Sequence, residues 1–151
     1  MDTLVLGCGN KPMAGAVNHD RIKHRPEIDV AHDLDIFPWP WEDNSFDLIV
    51  ACSVLEHLRC TLIESMAECW RILKPGGQLH VKIPYWNHAN SYADPTHYWR
   101  FDISTLKFFD PDTKLGRQYG FYANQRPWRI IKAPVLNPGK SSIIALMEVR
   151  K

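Results

Sequence analysis

Asp47-Leu-Ile-Val-Ala-Cys-Ser53, followed by Thr61-Leu-Ile-Glu-Ser-Met-Ala-Glu-Cys-Trp-Arg-Ile-Leu-Lys-Pro-Gly-Gly77 and Gln78-Leu-His-Val-Lys-Ile83, is the stretch that decides the fold. Its first run is the most apolar in the chain and reads as a central strand. Thr61 caps the helix that follows, with Glu64 three places on completing a capping box. Leu62, Met66, Cys69, Trp70 and Leu73 fall on one helical face, which makes Trp70 a core residue. Lys74-Pro-Gly-Gly77 stops the helix. Gln78–Ile83 then alternates apolar with polar, so a strand follows at once and closes a β-α-β unit with two parallel neighbours.

Working outward, Thr3-Leu-Val-Leu-Gly7 is a short apolar run closed by glycine, suited to a strand buried on both faces. Gly15–Asp20 and Asp29–Leu34 are weaker strand candidates. Pro38 and Pro40 make Phe37-Pro-Trp-Pro-Trp41 a rigid loop that cannot join a central strand. Ser104 opens a short helix carrying Leu106, Phe108 and Phe109. Trp128–Ala133 and Ser142–Val149, parted by Asn-Pro-Gly, form an antiparallel hairpin that ends the sheet. The expected fold is α/β: a Rossmann-like, mainly parallel twisted sheet flanked by helices, built as a single domain over residues 1–151.

Composition narrows the function classes. The chain has 151 residues, 45% apolar and 23% charged, with a net charge of +1. That balance gives no basic field to draw nucleic acid. No apolar run approaches the ~20 residues that cross a bilayer, and the N-terminus enters a strand without a charged leader. Cys8, Cys52, Cys60 and Cys69 are too few for a disulfide scaffold and read as reduced thiols, so a cytoplasmic protein is expected.

The residues with chemistry gather where strands end. Gly7-Cys-Gly-Asn10 closes the first strand and lets a ligand lie against the backbone. Asp20 ends the second strand and suits a ribose diol, with Asp29 as a rival; Asp33-Leu34 and Ser53 end the third and fourth. Ligands of open α/β sheets bind at these carboxyl ends, so the positions converge on one crevice.

Taken together, Leu4–Asn10, Asp29–Leu34, Phe37–Val50, Val54-Leu-Glu-His-Leu58 and Trp70–Leu79 resemble, in order and spacing, a class I S-adenosylmethionine-dependent methyltransferase of the small type 11-like kind. The resemblance covers roughly residues 3–84. It implies S-adenosylmethionine as cofactor, with Gly7, Cys8, Gly9 and Asn10 at its methionine part, Asp20 at the ribose, Asp33 and Leu34 at the adenine, and Ser53 on the sulfonium side. Two departures stand out. Only ten residues separate Gly9 from Asp20, including Pro12 and Gly15, so the first crossover helix should be vestigial or absent. The chain also starts on its first strand, which leaves the cofactor side open unless the loop after Pro84 or a second subunit of a homo-oligomer covers it.

That loop, Pro84–Phe101, is polar and aromatic and follows the fifth strand, where it would face the methyl group. His97, and second His88, are the expected general bases, with Asp94 orienting an imidazole. Tyr85, Asn90, Tyr92, Tyr98 and Arg100 are the expected substrate contacts; a surface lid is the alternative. Glu56 and His57 are read as structural or as the cofactor's edge. No metal ion is assigned: Cys52 belongs to a buried strand, so Cys52, His57 and Cys60 lack a fourth ligand, and the spacing of His88, Asp94 and His97 is not diagnostic. The expected activity is methyl transfer to an unidentified acceptor, more readily a small molecule. The Asp/Asn-Pro-Pro-Tyr/Phe tetrapeptide of base amino-methyltransferases is missing where Cys52-Ser53-Val54-Leu55 stands. Two rivals remain: a non-catalytic partner of another methyltransferase, and a dinucleotide oxidoreductase, disfavoured because the full Gly-x-Gly-x-x-Gly is absent.

Overall fold

The computed structural model describes residues 1–123 and 126–151. Seven strands form one sheet: β1 (Thr3–Leu6), β2 (Val17–Asp20), β3 (Val30–Ala31), β4 (Phe46–Cys52), β5 (Leu73–Pro84), β6 (Trp128–Leu136) and β7 (Ser142–Val149). Their order is β3-β2-β1-β4-β5-β7-β6, parallel from β3 through β5 and antiparallel across β5-β7-β6. The chain leaves β1 first toward one edge and later returns to its other side at β4. The topological switch point therefore lies between the ends of β1 and β4.

Helix α1 (Leu62–Ile72) joins β4 to β5. The Thr61 hydroxyl accepts the Glu64 N–H, and the Glu64 side chain accepts the Thr61 N–H, satisfying two of the helix's free donors for about 1 kcal/mol. Met66, Cys69 and Ile72 of α1 pack with Leu4, Leu6, Ile49, Ala51, Leu79, Val81, Ile83, Ile143 and Met147 in the main core. The short helices α2 (Asn90–Ala93) and α3 (Lys114–Tyr119) and the 3-10 turns Leu55–His57, Thr105–Phe109 and Gly120–Ala123 complete the chain.

No described helix connects β1 to β2 or β2 to β3, so the crossover helix is absent as the short spacing requires. The alternate side chains of the central strands, among them Leu48, His80, Ile144 and Leu146, stay part-exposed on the face away from α1 and line a shallow cavity of about 380 Å³. Parallel sheets are ordinarily covered on both faces. Here only Val5, Cys8 and Ile28 form a small second cluster, with Ala16 and Val50 against it.

Four local expectations change. Strand β5 begins at Leu73, because Leu73 pairs with Phe46 before a bulge restores the ladder at Gln78–Leu48; Lys74–Gly77 ends the helix but belongs to the strand. Cys52 is exposed, since it points to the uncovered face at the end of β4. Trp70 is only part-buried at the core's rim, its Nε1 donating to the Pro127 carbonyl at 3.1 Å. The segment after Ser104 is a 3-10 turn, opened by the Asp102 N–H donating to Thr105 Oγ1 at 2.9 Å.

Candidate functional site

A cavity of about 230 Å³ opens at the carboxyl ends of β1, β2, β3 and β4, and Gly7, Asp20, Asp33, Leu34 and Ser53 all line it. Gly7 turns out of β1 at φ +58°, and a Cβ there would meet Val54 Cγ2 at 2.8 Å. Asp20 is held by both oxygens: the Gly9 N–H donates to Oδ2 at 2.8 Å and the Arg21 N–H to Oδ1 at 2.7 Å. Each oxygen keeps a free lone pair toward a ligand. Asp33 pairs with Arg21 at 3.0 Å. Leu34 is buried and its carbonyl accepts the Trp39 indole N–H at 3.0 Å. Ser53 sits at φ +55°, a left-handed conformation uncommon for serine and typical of residues held for function.

Three residues assigned to the glycine loop lie off the cavity lining. Cys8 is buried in the second cluster. The Gly9 N–H serves Asp20, and the Asn10 side chain accepts from Arg25 at 3.2 Å. Asp29, the rival ribose ligand, is exposed and accepts the Asn18 N–H at 2.7 Å.

Sequence reasoning missed several lining residues. His19 is buried with Nε2 2.9 Å from the His32 carbonyl, so that nitrogen carries the proton, and its Nδ1 faces the Gly7 N–H at 3.4 Å. Burial lowers its pKa, which keeps the ring neutral. Nothing in the sequence marked His19 as a prop for the glycine turn. Arg21, His32, Asp35 and Leu58 also line the cavity. Asp35 Oδ1 accepts the N–H groups of Arg59 and Cys60 at 2.7 and 2.9 Å, which fixes the segment carrying His57.

The Pro84–Phe101 loop returns to this segment. The Tyr98 N–H donates to the Glu56 carbonyl at 2.8 Å, and His57 Nδ1 lies 2.8 Å from Thr96 Oγ1. The rings of His57 and His97 meet edge to face with centroids 4.7 Å apart. His97 Nε2 lies 3.8 Å from Asp94 Oδ2, an ion-pair distance beyond a hydrogen bond. Asp94 Oδ1 accepts the Thr96 N–H and hydroxyl at 2.8 and 2.6 Å, and these two bonds lower its pKa. Burial, and then His97, lower that of His57. Glu56 is 1% exposed, and burial raises its carboxyl to about 7.

The other loop residues are dispersed. His88 Nδ1 accepts the Asn90 N–H at 3.1 Å, away from the His57–His97 pair. Arg100 lies over the Tyr92 ring at 4.6 Å. The Tyr98 hydroxyl accepts from Arg59 at 3.2 Å, and Tyr85 bridges to Phe101. Asn90 lines a second, open depression with Asp94 and His97. None of these side chains lines the 230 Å³ cavity.

The family model of the methyltransferase domain matches residues 5–81, just over half of the chain. The chain belongs to the methyltransferase-domain family. A Mycolicibacterium smegmatis protein named "Probable S-adenosylmethionine-dependent methyltransferase" is 35% identical over 68 residues, 45% of this chain and 25% of that protein. The chain thus matches only a quarter of that relative's length. Among solved structures, the YcgJ protein of Bacillus subtilis is similar with a TM-score of 0.65 at 17% identity, covering 99% of this chain and 92% of that one. A SAM-dependent methyltransferase of Archaeoglobus fulgidus reaches 0.67 at 16%, covering 97% and 85%. At such identities these two establish the fold alone.

S-adenosylmethionine is the cofactor this methyltransferase domain implies, and the residues fit it. Asp20 and Asp33 both line the cavity and can accept hydrogen bonds, and the bare Gly7 leaves room there that a Cβ would take up. The cavity is smaller than the ~300–1,000 Å³ of ordinary ligand pockets. Arg21, paired with Asp33, is an exposed side chain of the same lining. No helix among the described residues is long and apolar enough to cross a membrane.

Proposed function

We propose that this methyltransferase domain transfers a methyl group from S-adenosylmethionine to a nucleophilic acceptor, more readily a small molecule. The convergence of Gly7, Asp20, Asp33, Leu34 and Ser53 on one crevice at the switch point carries the reading. The cofactor supplies an electrophilic methyl on its sulfonium; the protein's part is to align an acceptor with it. Asp20 accepts both ribose hydroxyls with its spare lone pairs, and Asp33, released by Arg21, accepts the adenine amino group. His57 forms part of the crevice wall, and burial lowers its pKa.

The acceptor enters from the Pro84–Phe101 loop, with Tyr85, Asn90, Tyr92, Tyr98 and Arg100 as the available contacts. His97, set beside His57, is the loop imidazole that can take a proton; His88 is turned elsewhere. A chain balanced at +1 supports an acceptor other than nucleic acid. A cytoplasmic setting and a homo-oligomer covering the open cofactor side belong to the same proposal.

S-adenosylhomocysteine tests it. The ligand should raise the melting temperature and give saturable calorimetric heat, with Asp20→Ala weakening binding at least about tenfold. No shift and no heat at millimolar ligand would sink the reading. Binding without turnover across an acceptor screen would favour the non-catalytic partner role.

A further inference from the structure

Glu56, His57 and His97 each offer one donor atom, and the three donors lie within 4.8 Å of one another. We propose that they bind a divalent transition-metal ion at the junction of the cofactor crevice and the acceptor loop, with open coordination positions for a hydroxyl or thiol acceptor. Two imidazoles and a carboxylate are the donor set of three-ligand sites that keep positions open.

Two independent features point inward. Glu56 Oε2 and His97 Nδ1 are fully buried and meet no hydrogen-bond partner, although buried polar atoms are almost always paired. Glu56 is 1% exposed and the His97 side chain 10%. On the other side His57 Nδ1 is hydrogen-bonded, and His97 Nε2 lies near a carboxylate at ion-pair distance. His57 Nδ1 faces the Thr96 hydroxyl, which donates to Asp94 Oδ1, and His97 Nε2 faces Asp94 Oδ2. Asp94 thereby stands behind both imidazoles as the outer carboxylate that metal-bound histidines recruit. The groups left facing the centre are His57 Nε2, His97 Nδ1 and Glu56 Oε2. Around bonds of ~2.0–2.2 Å the donors need separations of about 3–3.5 Å, so ion binding would draw the three side chains together. A hydrogen-bonded dyad would instead pair Glu56 with an imidazole directly, and that bond is absent.

The ion-binding claim stands on these residues alone; only the acceptor's use of the ion rests on the transferase reading. The test uses the chelator-stripped chain titrated with Zn²⁺ by calorimetry and with Co²⁺ by visible absorption. One ion should bind per chain. His97→Ala and His57→Ala should weaken binding about 100-fold or more, and Asp94→Asn about 10–100-fold. His24→Ala and His80→Ala should stay within about twofold. Glu56→Gln keeps the side chain's shape and should weaken binding about 10-fold or more, and circular dichroism with a cooperative thermal melt shows that each variant is folded. Absent saturable binding, or His57→Ala and His97→Ala binding as the unaltered chain does, overturns the site. Zn²⁺ binding without S-adenosylhomocysteine binding leaves the ion site and defeats the cofactor reading; the reverse pattern does the opposite.

Discussion

Replacing Gly7 and Gly9 separately with alanine divides the glycine loop's cost into two parts. Both residues have left-handed backbones, φ +58° and φ +53°, so either alanine costs about 1–2 kcal/mol. Part of that, about 0.4–1 kcal/mol, returns because alanine restricts the unfolded chain. Gly9→Ala should stop there, since its Cβ would meet nothing within 4 Å. Gly7→Ala adds contacts of 2.8 Å to Val54 Cγ2 and 3.0 Å to Val54 Cβ. Val54 is a buried core residue at the cavity wall, so displacing it disturbs core packing, and overpacking of this kind costs about 1–3 kcal/mol more.

Urea unfolding at constant m reads both variants. Gly9→Ala should lose about 1 kcal/mol and Gly7→Ala about 2–4 kcal/mol. Val54→Ala removes Cγ2 while opening a small cavity. In the double variant Gly7→Ala/Val54→Ala the new methyl fills part of that cavity, giving a favourable coupling of about 1–2 kcal/mol. Equal losses for the two glycines, or a coupling near zero, would refute the packing argument.

The carboxyl of Glu56 rises from 4.5 to about 7 in the fold, so the folded metal-free chain holds more protons than the unfolded chain across that window. Its stability should fall as pH rises from about 4.5 to about 7, by up to ~3 kcal/mol, and Glu56→Gln should flatten this slope in melts at pH 5 and 8; an unchanged slope refutes it. Arg71 donates to Glu68 and to the carbonyls of Trp39 and Trp41. Arg71→Met should cost about 2–3 kcal/mol in urea, and a lysine there, unable to reproduce the fork, should recover little. Asp20→Asn should weaken S-adenosylhomocysteine about tenfold while melting close to the unaltered chain, whereas Asp20→Ala should lose both; equal melting losses would show that the loop bond counts for nothing. His97→Ala should lower turnover on a confirmed acceptor by ~10²-fold or more with cofactor affinity unchanged, and chelator sensitivity of the unaltered chain's turnover separates an ion ligand from a simple base.

Periodicity made β4, α1, β5 and the terminal hairpin legible, because each sets an apolar face against one core. The Thr61 box was legible because capping is local. What misled was the assumption that central parallel strands are covered twice. With no crossover helices before β3, Cys52 faces outward although the run around it is apolar. Trp39 was hidden differently. Two prolines mark its segment as a loop, yet the indole is 2% exposed and its backbone N–H donates to Glu68 at 2.7 Å, so a loop residue does core work through long-range contacts. At the site, strand-end carboxylates could be read from spacing. The His57–His97 contact spans forty positions and depends on how the Pro84–Phe101 loop folds back, which no local pattern encodes.

Losing the first crossover helix shifts a structural task onto β2. In a full βαβ unit the glycine turn leads into a helix whose first N–H groups anchor the ligand and the turn together. Here side chains of β2 do that work: His19 Nδ1 faces the Gly7 N–H, Asp20 Oδ2 accepts the Gly9 N–H, and Asn18 Oδ1 and Nδ2 clasp Met13 at 2.7 and 3.0 Å. Asp20 is therefore a strut for the loop and, in the proposed function, also the ribose acceptor. The bond that holds the glycine loop needs one acceptor oxygen, for the Gly9 N–H, which asparagine retains while giving up the bond from the neighbouring Arg21 N–H. The ribose diol draws on the negative charge, which asparagine lacks, and charge-assisted bonds exceed neutral ones by about 1 kcal/mol or more each. That difference is why the amide and alanine variants should part company, and why a crevice with one bare flank still presents a fixed carboxylate to its cofactor.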